Sequence, residues 1–191
     1  MENIEQLIFL IFDKTYPNEG IRRYLSLVKD LYASRVTVNA SFENALVVFQ
    51  RLGGMPNTDI YANLPNAIAL FHKATSEECR NRQLLAYLGE MICNWYLRDY
   101  YKVRQLQKNV SSIQFNSSWW ERNKKDVISI SGGLLAAVCA LAGGASTQIA
   151  GMGGVKSGQA LMECVGDIES EEMLFAQLKS AIIHINFPTV E

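Results

Sequence analysis

Along most of the chain apolar residues recur every three or four positions and rarely every second one, which predicts an all-α fold, a multi-helix bundle. Residues 3–13 form a short apolar helix that stops near Tyr16-Pro17. A second helix, about 19–33 after an Asn18 cap, places Ile21, Tyr24, Leu25, Val28, Leu31 and Tyr32 on one face. A third, about 41–52 from a Ser41 cap, turns Phe42, Ala45, Leu46 and Phe49 inward and ends at Gly53-Gly54-Met55-Pro56. A fourth, about 59–73, carries Pro65, which either kinks it or sits in the first turn of its later half. Thr75 with Glu78 three residues later fits a capping box, starting a helix that reaches about 88, or 106 if it passes through Gly89. Residues 109–118 are polar and poor in helix formers, a loop, and Ser170 before Glu171-Glu172 caps a last helix over about 171–184. The elements divide into two packed helical subdomains, 1–73 and 74–191.

The pattern changes between Val127 and Val155, 29 residues without Asp, Glu, Lys or Arg; eight of the 13 glycines fall between Gly132 and Gly158. About 20 apolar residues cross a bilayer, but Gly143-Gly144, Gly151 to Gly154 and the polar Ser129, Ser131, Ser146, Thr147 and Gln148 cut this run into pieces. It reads as two short helices, about 127–142 and 155–168, packed through small residues as core.

Hydrophobic residues make up 49% of the 191, enough to bury a core. The first residues hold Glu2 and Glu5 but no basic stretch or cleavage site, unlike a signal peptide. Cys79, Cys93, Cys139 and Cys164 are scattered and read as buried thiols rather than a disulfide framework or zinc site. The net charge of −1 hides an asymmetry: residues 98–125 carry seven basic and two acidic side chains, and residues 126–191 two basic and seven acidic. A basic segment followed by an acidic one favours phosphate-bearing surfaces and head-to-tail contact between copies.

Signs of catalysis are missing. His72 and His184 have no ligand partner at metal spacing, Gly151 to Lys156 lacks the phosphate-loop spacing, and no Gly-x-Ser-x-Gly occurs. The pairs Glu77-Glu78 and Glu171-Glu172 sit at expected helix starts, where they offset the helix dipole. The reading is no enzyme, no cofactor and no metal.

Taken in order, several segments resemble the matrix proteins of orthomyxoviruses, the influenza family. They are a short first helix, the turn Tyr16-Pro17-Asn18-Glu19-Gly20, an amphipathic helix and an apolar one. Next comes a Ser-Glu start at Thr75-Ser76-Glu77-Glu78 leading to Arg80 and Arg82. The glycine- and alanine-rich pair is the nearest match, running from Ile128 to Cys139 and then through Val155, Gly158, Cys164 and Ile168-Glu169-Ser170. The similarity in order spans roughly residues 5–185. Three features depart from it: the family's compact basic run is thinned to Lys102, Arg104 and Lys108, the position three before Cys164 is Leu161 where a cysteine is expected, and the family's long C-terminal helical domain is missing or reduced to residues 171–191.

The resemblance implies a structural role in the virion, beneath the envelope, and in the host at the inner face of the plasma membrane, in cytoplasm and nucleus. Copies would bind each other, an anionic lipid surface and the viral ribonucleoprotein or its RNA. The implied phosphate-facing set is Arg80, Arg82, Lys102, Arg104 and Lys108, reinforced by Lys124 and Lys125. Two other readings stay open. In one, residues 127–155 form a membrane-inserting hairpin of a pore-former or apoptosis regulator, their small-residue spacing suiting helix packing in lipid. In the other, residues 98–125 bind RNA by stacking bases on Tyr100, Tyr101, Trp119 and Trp120.

Overall fold

The computed structural model describes residues 4–32, 40–76, 79–115 and 168–187, and every regular element among them is an α-helix. In chain order these are α1 (Ile4–Phe12), α2 (Pro17–Tyr32), α3 (Ala40–Gly53), α4 (Asn57–Ala74), α5 (Arg80–Tyr96), α6 (Tyr100–Ser112) and α7 (Ile168–Ile183). The glycine-rich block 127–155, Trp119-Trp120, Lys124 and Lys125 lie outside the described residues.

The apolar faces read from spacing are the buried ones. Ile21, Tyr24, Leu25, Val28 and Leu31 of α2 meet Phe42, Ala45, Leu46 and Phe49 of α3 in one continuous core, which extends through α4 to α7. Within it Phe71 of α4 has three aromatic neighbours edge-on, Tyr24 at 5.8 Å, Phe49 at 4.6 Å and Phe42 at 6.4 Å, an arrangement the ring quadrupole favours.

The centre of the bundle is α5, which packs against α1, α2, α4, α6 and α7. A helix enclosed this way buries residues all round, including the polar Asn81, Arg82, Glu90 and Asn94. Two glycines let neighbours approach: a methyl on Gly89 would meet the Phe71 ring, and one on Gly20 of α2 would meet Tyr96. The Tyr96 hydroxyl donates to the Ile11 carbonyl and that of Tyr24 to Leu85, tying α1 and α2 to α5.

Helix ends depart from the expected signals where a tertiary partner supplies the cap. Asn18 does not cap α2: Pro17 takes the first turn, and the Asn18 N–H donates to Asn57 Oδ1 at 3.1 Å across the bundle. Thr75 does not start α5 either. It ends α4, its hydroxyl donating to the His72 carbonyl at 2.6 Å, and α5 begins at Arg80. Ser170 lies inside the first turn of α7 rather than before it, and residues 109–112 extend α6 instead of forming a loop.

The helix from Arg80 does not reach 106 unbroken, although it passes straight through Gly89. It stops after Tyr96 in a Schellman turn, where Asp99 N–H bonds the Asn94 carbonyl and Arg98 N–H that of Trp95. Arg98 takes the left-handed position at φ 61°, where glycine is usual. Asp99 then caps α6, its carboxylate accepting from Lys102 N–H at 3.0 Å.

Candidate functional site

On α6, Val103, Leu106 and Val110 face the core at helical spacing, so the rest of its circumference is turned outward. Tyr101, Arg104, Gln105 and Lys108 fall one helical turn apart on that outer side. Tyr101 is 71% exposed, and its hydroxyl accepts from Gln105 Nε2 at 2.9 Å. Arg104 is half-buried with its guanidinium at 3.5 Å from the Phe187 carbonyl, while Lys108 is exposed. The result is a short basic face with an aromatic at one end.

Lys102, Arg80 and Arg82, the other described residues of the expected basic set, do not join it. Lys102 is about 200° round the helix from Arg104 at 3.6 residues per turn; it is half-buried, and its charge acts on Glu90 of α5. Arg80 stands at the far end of α5 from the turn into α6, half-buried, with Nη1 donating to Gln83 Oε1 at 2.8 Å. Arg82 is the clear correction to the phosphate-facing set: only 1% exposed, it sits inside the bundle with its guanidinium 5.3 Å from the Phe42 ring centroid. Burial pushes the neighbouring Glu43 carboxyl up from its ordinary range, and the Arg82 charge pulls it partly back. An arginine so enclosed serves the fold.

Two side chains with no expected role close the far side of this region. Gln107 Nε2 lies 2.9–3.1 Å from the carbonyls of Ile182, Ile183 and Ile185, satisfying the open end of α7 from a neighbouring helix. Lys179 of α7 returns the favour to α6, its ammonium donating to the Ile113 carbonyl at 2.7 Å. The carboxyl of Asn81's partner, Glu171, binds the other end of α7 to α5 at 2.7 Å. These partners are 66 to 90 residues apart in sequence, so no local motif announces them.

A cleft of about 350 Å³ opens where α1, the end of α5 and the segment after α7 meet. Phe12 lies edge-on to Trp95 at 5.8 Å and to Phe187 at 5.1 Å, and Phe9, 61% exposed, forms the outer lip. Glu5, Asp13 and His184 stand at its margin, so the apolar floor has an acidic border. Across the molecule, the exposed His72 lies with Nδ1 3.3 Å from Oε2 of the buried Glu90. Burial raises the Glu90 carboxyl above its ordinary range, against the opposing charges of His72 and Lys102.

Among the described residues no three His, Cys, Asp or Glu side chains gather as a metal site, and no helix is long and apolar enough to cross a membrane. Cys93 is buried and Cys79 half-buried, both as free thiols. No protein-family model, curated protein or solved structure matches the chain.

Proposed function

We propose that this chain is a matrix-type structural protein without catalytic activity. Copies associate laterally into a layer, lay basic side chains on an anionic membrane and hold the viral ribonucleoprotein beneath it. The observation that carries this reading is the outer face of α6, where Arg104 and Lys108 stand one turn apart beside the exposed Tyr101. It coincides with the basic segment that the resemblance to orthomyxovirus matrix proteins assigns to phosphate. Each basic residue near an anionic leaflet contributes about 1 kcal/mol, so a single protomer binds weakly. An array multiplies the effect without any new contact.

Cosedimentation of the full chain with phosphatidylserine-containing vesicles tests the reading. Binding should rise with anionic lipid, collapse as salt screens the charges, and fall severalfold in Arg104→Glu/Lys108→Glu, while Arg80→Gln changes it little. Electron microscopy of the bound vesicles should show a regular protein coat. Binding to neutral vesicles that survives high salt, or vesicles left uncoated at saturation, would sink the proposal.

A further inference from the structure

The cleft and the turn between α5 and α6 are neighbours on the surface and opposite in character. The cleft combines an aromatic floor with acidic groups at its margin. The turn presents Leu97, 39% exposed, followed by the exposed Arg98, the exposed Asp99 that caps α6 and, at the second residue of α6, Tyr101. Trp95 joins the two: it lines the cleft, and its ring lies 5.1 Å from that of Tyr100 on the turn side, tilted by 56°. One molecule therefore carries, side by side, an apolar recess whose rim holds Asp13 and an apolar projection whose tip holds Arg98, the Asp99 carboxylate beside it being engaged in the α6 cap.

The projection is firmly held. Backbone bonds from Leu97, Arg98 and Asp99 to Cys93, Trp95 and Asn94 fix the turn, and the Asp99 cap fixes the start of α6. Holding arginine at φ 61° places it in the left-handed region that L-residues other than glycine rarely adopt. Strain of this kind collects where a side chain is needed for contact, and glycine, which relieves it, has no guanidinium.

We infer that the occupant of the cleft is a second copy of this chain. Two copies meet about a two-fold axis, with the Leu97–Arg98 turn of each seated between Phe9 and Trp95 of the other and Arg98 facing Asp13. Complementary patches lying side by side are what an isologous contact requires, since one rotation satisfies both at once. Such an interface falls at the small end of the range for specific contacts, below about 1,200 Å², and forms a weak dimer in solution. This deepens the self-association in the proposed function and rests on it.

Sedimentation velocity of the full chain without lipid, over rising concentration, tests the inference. The parent should pass from monomer to dimer. Arg98→Glu and Asp13→Lys should each weaken the dimer by at least about tenfold through like-charge contact, and Arg98→Lys should keep it. Mixing Arg98→Glu with Asp13→Lys should restore dimers to within about threefold of the parent, because both pairs in the mixed dimer are again opposite in charge. Circular dichroism of each variant checks that the fold is retained. A parent that stays monomeric to about 1 mM, swaps that leave the dimer unchanged, or a mixture that remains monomeric overturns the inference. Vesicle binding that is lost in Phe9→Ser while the parent stays monomeric overturns it too and gives the cleft to lipid. A coat on anionic vesicles that forms equally well with Arg98→Glu removes this contact and leaves the matrix reading standing; loss of vesicle binding with the dimer intact does the reverse.

Discussion

Replacing Gly89 by alanine sets two effects against each other. In an exposed helix the change favours folding by about 1 kcal/mol. Here the new methyl lands 2.5–2.6 Å from three carbons of the Phe71 ring, roughly 0.9 Å short of ordinary contact at 3.4 Å. The ring cannot swing aside, because Tyr24, Phe42 and Phe49 press on it from other helices and the side chain is fully buried. Overpacking a filled core costs about 1–3 kcal/mol, and a clash with three ring atoms belongs in the upper half of that range. The net expectation is a loss of about 1–2 kcal/mol, or roughly 3–6 °C in melting temperature for a chain this long. Phe71→Leu alone should also destabilise, by about 1–3 kcal/mol, through the space it leaves. With that space present, Gly89→Ala should turn neutral or stabilising. Urea unfolding of the four proteins, followed by far-ultraviolet circular dichroism, gives the coupling directly. If Gly89→Ala stabilises the parent by the full 1 kcal/mol or so of helix propensity, α4 and α5 do not cross as closely as described.

Three further outcomes follow from local geometry. Arg98→Gly should raise stability by about 0.5–1 kcal/mol by relieving the left-handed backbone, seen as a higher melting temperature; a fall would mean the side chain holds the turn. Gln107→Ala should cost about 1–2 kcal/mol and speed amide exchange after Ile182, and Gln107→Glu should cost more, since a carboxylate has no donor for three carbonyls at a negative helix end. Glu90 holds its proton to higher pH when folded, because burial raises it above the ordinary 4.5. Its contribution is therefore most favourable below that ordinary value and is lost as pH rises through the raised one. Glu90→Gln should gain stability over the parent progressively as pH rises above the ordinary 4.5, and a difference in urea midpoint that does not change with pH would refute the assignment.

The sequence made the helices legible because burial on one face leaves a three-to-four-residue rhythm, as in α2, α3 and α7. It misled at α5. A helix surrounded by neighbours loses that rhythm, so Arg82 resembled a surface cation although it lies over Phe42. The break at residues 97–99 gave no glycine signal because arginine fills the left-handed position, while Gly89, which looked like a break, is a notch for Phe71. The capping pattern at Thr75 was real chemistry directed backwards, into α4. Among the described residues of the expected basic set, only Arg104 and Lys108 share a face, since neighbours in sequence two apart diverge round a helix. The cleft joins residues from both ends of the chain, and no spacing rule encodes that.

That last juxtaposition bears on biosynthesis. Phe12 finishes its surroundings only when Phe187 arrives, roughly 175 residues later, which at about 5–20 residues per second leaves the first helix waiting on the order of 10–30 s during translation. Through that interval its apolar flank stays open to solvent and to chaperones, so the order in which this molecule is made delays the closing of its core until the last described segment arrives.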